Sequence, residues 1–327
     1  MAVKLFIDAI RDALFHAMRE DEQVFVLGED VGVRGGVFRV TQGLIEEFGE
    51  QRVMDTPLAE SGIVGVAIGA AAMGFKPVAE IQFVDFILPA VNQIISEAAK
   101  MRYRSNNDWT CPLVIRAPFG GGVHGALYHS QSLEALFYHV PGLKIVIPST
   151  AADAKGLLLA AIRDPDPVLF FEHKGMYRLI RDEVPDGEHI VPIGKAALRK
   201  TGDDITVITY GLMVHYALEV ATKLEQEGIH AHILDLRTIA PLDREAIIEA
   251  ARHTGKVLIV HEDNKTGGVG AEIAAMIAEE ALFDLDAPIM RLAGPDVPAM
   301  PYNAGMEKFY MLNPQKIEDA MRNLARF

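Results

Sequence analysis

Short apolar runs of strand length alternate with stretches of helical periodicity along nearly the whole chain, in two successive series. In the first, residues 24–27, 52–54, 77–83, 112–117, 143–147 and 168–171 read as strands bounded by turn residues. Between them lie helical patterns. Val3, Phe6, Ile7, Ile10, Leu14 and Met18 mark an amphipathic helix at the start. Residues 60–74 are rich in Gly and Ala, 85–104 carry Pro89 in a first turn, and 151–163 are regular. Consecutive strands separated by helices must be joined by crossovers, so the pattern predicts a parallel sheet covered on both faces.

Between residues 176 and 204 the composition shifts to charges, Pro185, Gly187 and Pro192, as expected of an interdomain passage. A second series follows, with strands at 205–210, 229–236, 257–260 and 288–292. Its helices fall at 214–224, 243–252, 270–282 and 314–326. The expected architecture is therefore two doubly wound α/β domains, 1–190 and 191–327. A length of 327 residues accommodates them. The formal charge of -14 argues against nucleic acid as a partner. A single cysteine, Cys111 beside Pro112, leaves no disulfide framework or cysteine-rich metal site and reads as a small core residue. No apolar run is long enough to span a membrane and no signal peptide is visible, so a cytoplasmic protein is expected.

In an open parallel sheet, ligands sit beyond the carboxyl ends of the strands. The residues just past the first-domain strands are Glu29 with Asp30, then 55–60, then Gln82 to Phe86, then 118–129. Glu60 stands alone at the mouth of a segment in which Gly62, Gly65, Gly69 and Gly74 alternate with Ile, Val and Ala. That segment reads as a buried, crowded helix, with Gly65 and Gly69 leaving one face of nearly bare backbone. Two readings of Glu60 are open: an acid complementing the helix dipole, or a functional carboxyl tuned by an apolar wall.

His124 and His129 share a glycine-rich loop at 120–132. Their spacing fits no common zinc pattern; they are surface histidines or include a proton donor near neutral pH. Residues 29–36 lack the G-x-G-x-x-G order, and the loop reads either as a phosphate cradle or as flexible. Gly267-Gly268-Val269-Gly270 opens a helix and reads as an anion site or a tight turn. No G-x-S-x-G or Walker sequence occurs, which disfavours a hydrolase elbow and a P-loop ATPase.

The strings GEDVG (28–32), RVMDTPLAESGI (52–63), EIQFVDF (80–86), HGALYHSQS (124–132), PGLKIVIPST (141–150) and DLRTIAPLD (235–243) occur together. In these the chain resembles the beta subunits of thiamine-diphosphate-dependent 2-oxo acid dehydrogenase E1 components, across nearly its full length. The resemblance implies a pyrimidine-binding, transketolase-like first domain and a transketolase C-terminal-like second one. It implies an alpha2beta2 heterotetramer whose cofactor is shared between an alpha and a beta chain, with Mg2+ held mainly by alpha. The Gly-Asp-Gly motif that grips the diphosphate is absent here, as befits a beta chain.

By the same resemblance, Glu60 hydrogen-bonds N1′ of the aminopyrimidine and promotes the tautomer that takes the C2 proton. Phe86 stacks on that ring, with Glu29 and Gln82 near it. His129 acts when the acyl group passes to lipoyl on E2. A structural K+ is implied at Leu113, Val114, Ala161, Ile162, Asp164 and Asp166, mainly through backbone oxygens. The substrate implied is a small 2-oxo acid, pyruvate or branched-chain. The loop 124–132 resembles branched-chain enzymes, whereas Phe86 stands where those would carry tyrosine and the tail at 293–302 resembles pyruvate-type chains. Acetoin dehydrogenase beta chains share much of the pattern. A nicotinamide-dependent dehydrogenase would require the missing glycine fingerprint, and a non-catalytic scaffold would have no use for Glu60, Phe86 and His129 at strand ends.

Overall fold

The computed structural model describes Met1–Phe327 as two compact units. One is formed by Met1–Phe119 with Leu136–Ile193, the other by Gly120–Ala135 with Gly194–Phe327.

The first unit runs through β1 (Ala2–Leu5), α1 (Phe6–Glu20), β2 (Val24–Gly28), α2 (Leu44–Phe48), β3 (Val53–Asp55), α3 (Glu60–Ala72), β4 (Lys76–Glu80) and α4 (Met101–Arg104). β5 (Val114–Phe119) leads into the segment assigned to the second unit, and α5 (Glu134–Tyr138) brings the chain back. β6 (Lys144–Val146), α6 (Ala151–Arg163), β7 (Val168–His173) and β8 (Arg181–Val184) complete it. Strands β6, β7, β5, β4, β2 and β3 are hydrogen-bonded in that order, every pair parallel. β2, β5 and β7 are buried along their whole length, as strands covered on both faces must be. Gly28 pairs with both Asp55 and Glu80, so β2, β3 and β4 end level at one edge.

Three local expectations are corrected. Residues 2–5 are not helical: β1 pairs antiparallel with β8, and Val3 is 66% exposed. Four residues are too few for a two-residue alternation to show against the helical spacing that follows. Residues 85–104 are not one helix. Tight three-residue turns at Val84–Ala90 give way to a wide π turn at Gln93–Glu97, then to Ala98–Lys100 and α4. Pro89 lies inside the first stretch and has no N–H to donate, which prevents a regular ladder there. α3 buries Ile63, Val64, Ala67, Ile68 and Ala71, but its Gly62, Gly65 and Gly69 face is open, with Val66 61% exposed.

The second unit contains β9 (Ala197–Lys200), β10 (Ile205–Thr209), α7 (Leu212–Glu225), β11 (Ala231–Asp235) and the short β12 (Thr238–Ala240). It continues with α8 (Arg244–Thr254), β13 (Val257–Asn264), α9 (Val269–Glu280), β14 (Met290–Gly294), α10 (Ala304–Tyr310) and α11 (Pro314–Ala325). Five strands align in the order β14, β13, β10, β11, β9, parallel except for β9 against β11. Helix starts are set chemically. Asn313 accepts from the Lys316 N–H at 3.0 Å, and Pro314 occupies the first turn of α11 where no donor is needed. No helix is long and apolar enough to cross a membrane.

Candidate active site

Level parallel strands bring the loops after β2, β3 and β4 to one edge. The loop after β2 is held by Asp55. Its carboxylate accepts the N–H groups of Gly32 at 2.6 Å and Val33 at 3.2 Å. Those amides are therefore engaged within the protein and do not form a phosphate cradle. Glu60, at the first position of α3, is only 9% exposed, so both sequence readings meet in one place: an acid at a helix N-terminus, and a buried one.

Glu29 is buried too. Its carboxyl is pushed above the ordinary range by burial, then by the charges of Glu60 and Asp30. The Gln82 amide donates to the Glu29 carbonyl at 3.5 Å. Phe86 meets Phe83 edge-on at 5.8 Å, Phe83 meets Phe38 at 5.4 Å, and Phe38 meets Tyr177 at 5.2 Å. Lys174 lies 5.5 Å over the Phe83 ring. Glu29, Glu60, Gln82 and Phe86 thus belong to one unit and one edge.

Beneath that edge lies a buried ion network that the sequence reading did not single out. Arg116 on β5 makes a bidentate pair with Glu172 on β7, at 2.7 and 2.8 Å, and contacts Glu80 on β4 at 2.7 Å. The Tyr177 hydroxyl donates to Glu172 at 2.6 Å. Burial opposes the guanidinium charge, but the two carboxylates hold the Arg116 pKa up; Glu80 is raised by burial despite Arg116. A lone Arg in the apolar string V-I-R-A was the available signal: a charge there has to be paired.

The implied cation residues lie at the opposite edge, where β5 and β7 begin. The Leu113 carbonyl accepts from the Val168 N–H at 2.9 Å, and the Ala161 carbonyl from the Asp164 N–H at 3.2 Å. The Asp164 carboxylate takes Lys144 at 2.6 and 2.7 Å, and Asp166 takes Arg102 at 2.5 Å. Both acid side chains are thus engaged in ion pairs with basic side chains. Val114 and Ile162 are buried beside them. Cys111 is buried, and burial followed by Asp166 pushes its thiol up to about 12, as suits a core residue.

His129 falls in the other unit, on the segment Gly120–Ala135. It is half-buried, whereas His124 is exposed and its ring Nδ1 pairs with Glu307 on α10. Glu262 and Asp263, on β13, also contact this segment through the N–H groups of Gly121 and Ala135. Their neighbour His261 is fully buried, stacks on Tyr210 at 6.3 Å, and is pushed down to about 4 by burial. Gly268 and Gly270 leave room for its ring: a Cβ on either would stand 2.6 Å from Cε1 or 2.8 Å from Nε2. The Gly-Gly-Val-Gly string is thus a packing feature. No group of three or more His, Cys, Asp or Glu side chains is arranged to hold a metal ion.

A family profile described as transketolase, pyrimidine binding domain, matches residues 5–180; one described as transketolase, C-terminal domain, matches residues 194–317. The chain is 68% identical over 327 residues to the 2-oxoisovalerate dehydrogenase subunit beta of Bacillus subtilis (strain 168), covering 100% of both chains. It is 48% identical over 327 residues, again with 100% of both covered, to the pyruvate dehydrogenase E1 component subunit beta of the same strain. A solved chain described as split gene transketolase, inactive beta4 tetramer, shares the fold with a TM-score of 0.79 at 24% identity, covering 98% of each chain.

Proposed function

Because this chain belongs to the beta-subunit family of 2-oxo acid dehydrogenase E1 components, we propose that it furnishes the aminopyrimidine-facing wall of a thiamine diphosphate site completed by an alpha subunit. The reaction is oxidative decarboxylation of a 2-oxo acid, followed by reductive acylation of lipoyl groups on E2. The observation that carries this reading is Glu60, a carboxyl buried at the start of α3 and near enough to Glu29 to raise that group's pKa. The charge of Glu60 acts on Glu29, so the two belong to one electrostatic cluster at this edge, where a ring nitrogen would find a carboxyl partner.

When bound, thiamine diphosphate supplies the electron sink for loss of CO2. Glu60 holds a hydrogen bond at the pyrimidine N1′ and manages the proton there. Phe86, met edge-on by Phe83, would stack on the ring, and Glu29 and Gln82 would line the same wall. His129 serves the later transfer to lipoyl. The diphosphate and Mg2+ fall to the alpha subunit, because this chain has no Gly-Asp-Gly motif. The main-chain oxygens around Leu113, Val114, Ala161, Ile162, Asp164 and Asp166 would take K+. The substrate proposed is a branched-chain 2-oxo acid, supported by 68% identity to a subunit named for 2-oxoisovalerate against 48% to one named for pyruvate. Two alpha and two beta chains form the working enzyme, and the subunit-binding domain of E2 docks on the second unit near the exposed Phe327.

The test is Glu60→Gln in the reconstituted alpha–beta complex, assayed for decarboxylation of branched-chain substrate. Assembly should persist while turnover falls roughly 100-fold or more, the scale of a lost proton-transfer group. Turnover at the parent rate would reject the role.

A further inference from the structure

The segment that carries His129 is bent into conformations its own sequence would not choose. Gly120 and Gly122 both have φ 85°, and His124 and Ala126, which have side chains, stand at 54° and 52°. Left-handed backbone at non-glycine residues persists only where the surroundings impose it. Here acids on β13 and α10 do so. Glu262 accepts the Gly121 N–H at 2.6 Å, and Asp263 accepts the Ala135 N–H at 3.3 Å, which fixes the two ends of the segment. Between them, Glu307 engages His124 twice: one oxygen accepts the backbone N–H at 3.3 Å and the other meets ring Nδ1. Glu307 is 3% exposed and projects from α10, whose start is fixed by Asn303 accepting from the N–H groups of Gly305 and Met306. These two contacts tie an otherwise exposed histidine to α10.

The hold on His124 reaches His129 through one residue. Gly125 is pressed so closely on His129 that a Cβ there would lie 2.5 Å from the His129 Cβ and 3.0 Å from the Ser130 hydroxyl. Upstream, the space beside Gly121 is filled by the flexible end of Met300, whose Cε would stand 2.6 Å from a Cβ there. A displacement of His124 therefore displaces His129.

We propose that Glu307 is a positioning residue for His129, acting through His124 and Gly125; this rests on the reading of His129 as the residue of acyl transfer to lipoyl. Glu307 touches no reacting atom. It sets where the His129 imidazole stands when the lipoyl arm arrives, and it has no part in the decarboxylation that precedes it.

The experiment compares two assays in the reconstituted alpha–beta complex, one with a lipoyl domain as acceptor and one with an artificial electron acceptor. Glu307→Ala should lower lipoyl-dependent kcat about tenfold more than artificial-acceptor turnover, the scale expected when a group is misplaced by a fraction of an ångström. Glu307→Gln keeps an oxygen for the His124 N–H and should recover most of the loss. His124→Ala keeps its backbone N–H for Glu307 and loses only the ring contact, so it should shift the ratio in the same direction as Glu307→Ala but by less. Combined with His129→Ala, Glu307→Ala should add nothing. Equal losses in both assays, or no recovery with Gln, would make Glu307 a general structural residue and overturn the proposal. If His129→Ala itself leaves lipoyl transfer intact, the reading of His129 fails and the proposal with it. If His129→Ala impairs transfer but Glu307→Ala and His124→Ala do not, only the positioning role is lost.

Discussion

Glu29 shows what it costs to bury a carboxyl near other acids. Burial raises its carboxyl first, and Glu60 and Asp30 push in the same direction. A group whose folded pKa lies above its unfolded one contributes stability that is fully present at low pH and is lost as the pH rises through the folded value. Glu29→Gln is neutral throughout. It should therefore raise the melting temperature of the reconstituted complex near neutral pH and leave it close to the parent below about pH 4, where an ordinary carboxyl is protonated. Thermal unfolding at both pH values decides: an equal shift at each would mean that packing, not charge, is responsible. The placement of Glu29, Glu60 and Gln82 at one edge was legible because parallel strands deliver every following loop to the same side. The network around Arg116 was not, because no spacing in the sequence says which strands become neighbours. β4, β5 and β7 lie side by side only in the folded sheet.

Among the elements, α9 shows how a glycine can be fixed by a neighbour rather than by its own backbone. Gly270 sits within the helix, where alanine would ordinarily gain about 1 kcal/mol in propensity. Its Cβ would stand 2.8 Å from Nε2 and 2.9 Å from Cδ2 of the fully buried His261. The ring lies between Tyr210, stacked at 6.3 Å, and the backbone at Gly268. Overpacking of this kind costs about 1–3 kcal/mol, which meets or exceeds the propensity gain. Gly270→Ala should therefore lower the denaturant midpoint with an unchanged slope; a raised midpoint would show that the imidazole has room to move. Element type was readable wherever a pattern ran for several turns or a full strand, as in α6, α7, β10 and β13. It failed where tertiary pairing decides. β1 and β8 exist through each other, and the winding between Val84 and Arg104 changes pitch along its length.

At the scale of the molecule, chain order misleads in one place. Residues 120–135 precede the interdomain passage by more than forty positions, yet they are part of the second compact unit. The acids that hold them, Glu262, Asp263 and Glu307, come far later in the sequence, so nothing local announces the assignment. A more general asymmetry governs function. The chain carries the buried acid and the aromatic proposed for the pyrimidine, but no Gly-Asp-Gly and no cluster of side chains arranged for a divalent ion. A ligand bearing a diphosphate cannot be gripped tightly by the pyrimidine wall alone, and a net charge of -14 makes the chain a poor host for an anion. The purified beta chain should therefore bind thiamine diphosphate weakly and without dependence on Mg2+, whereas the mixture with alpha should bind it tightly and only with Mg2+. Linkage turns the difference into a stability readout. At a ligand concentration 100 times its Kd, binding adds about 2.7 kcal/mol to the complex, while a ligand far below its Kd adds almost nothing to the lone chain. Thermal unfolding of each species with cofactor and Mg2+, together and separately, measures both arms. A Mg2+-dependent upward shift in the isolated chain would mean that the diphosphate grip lies within it, and the division of the site between two polypeptides would have to be abandoned.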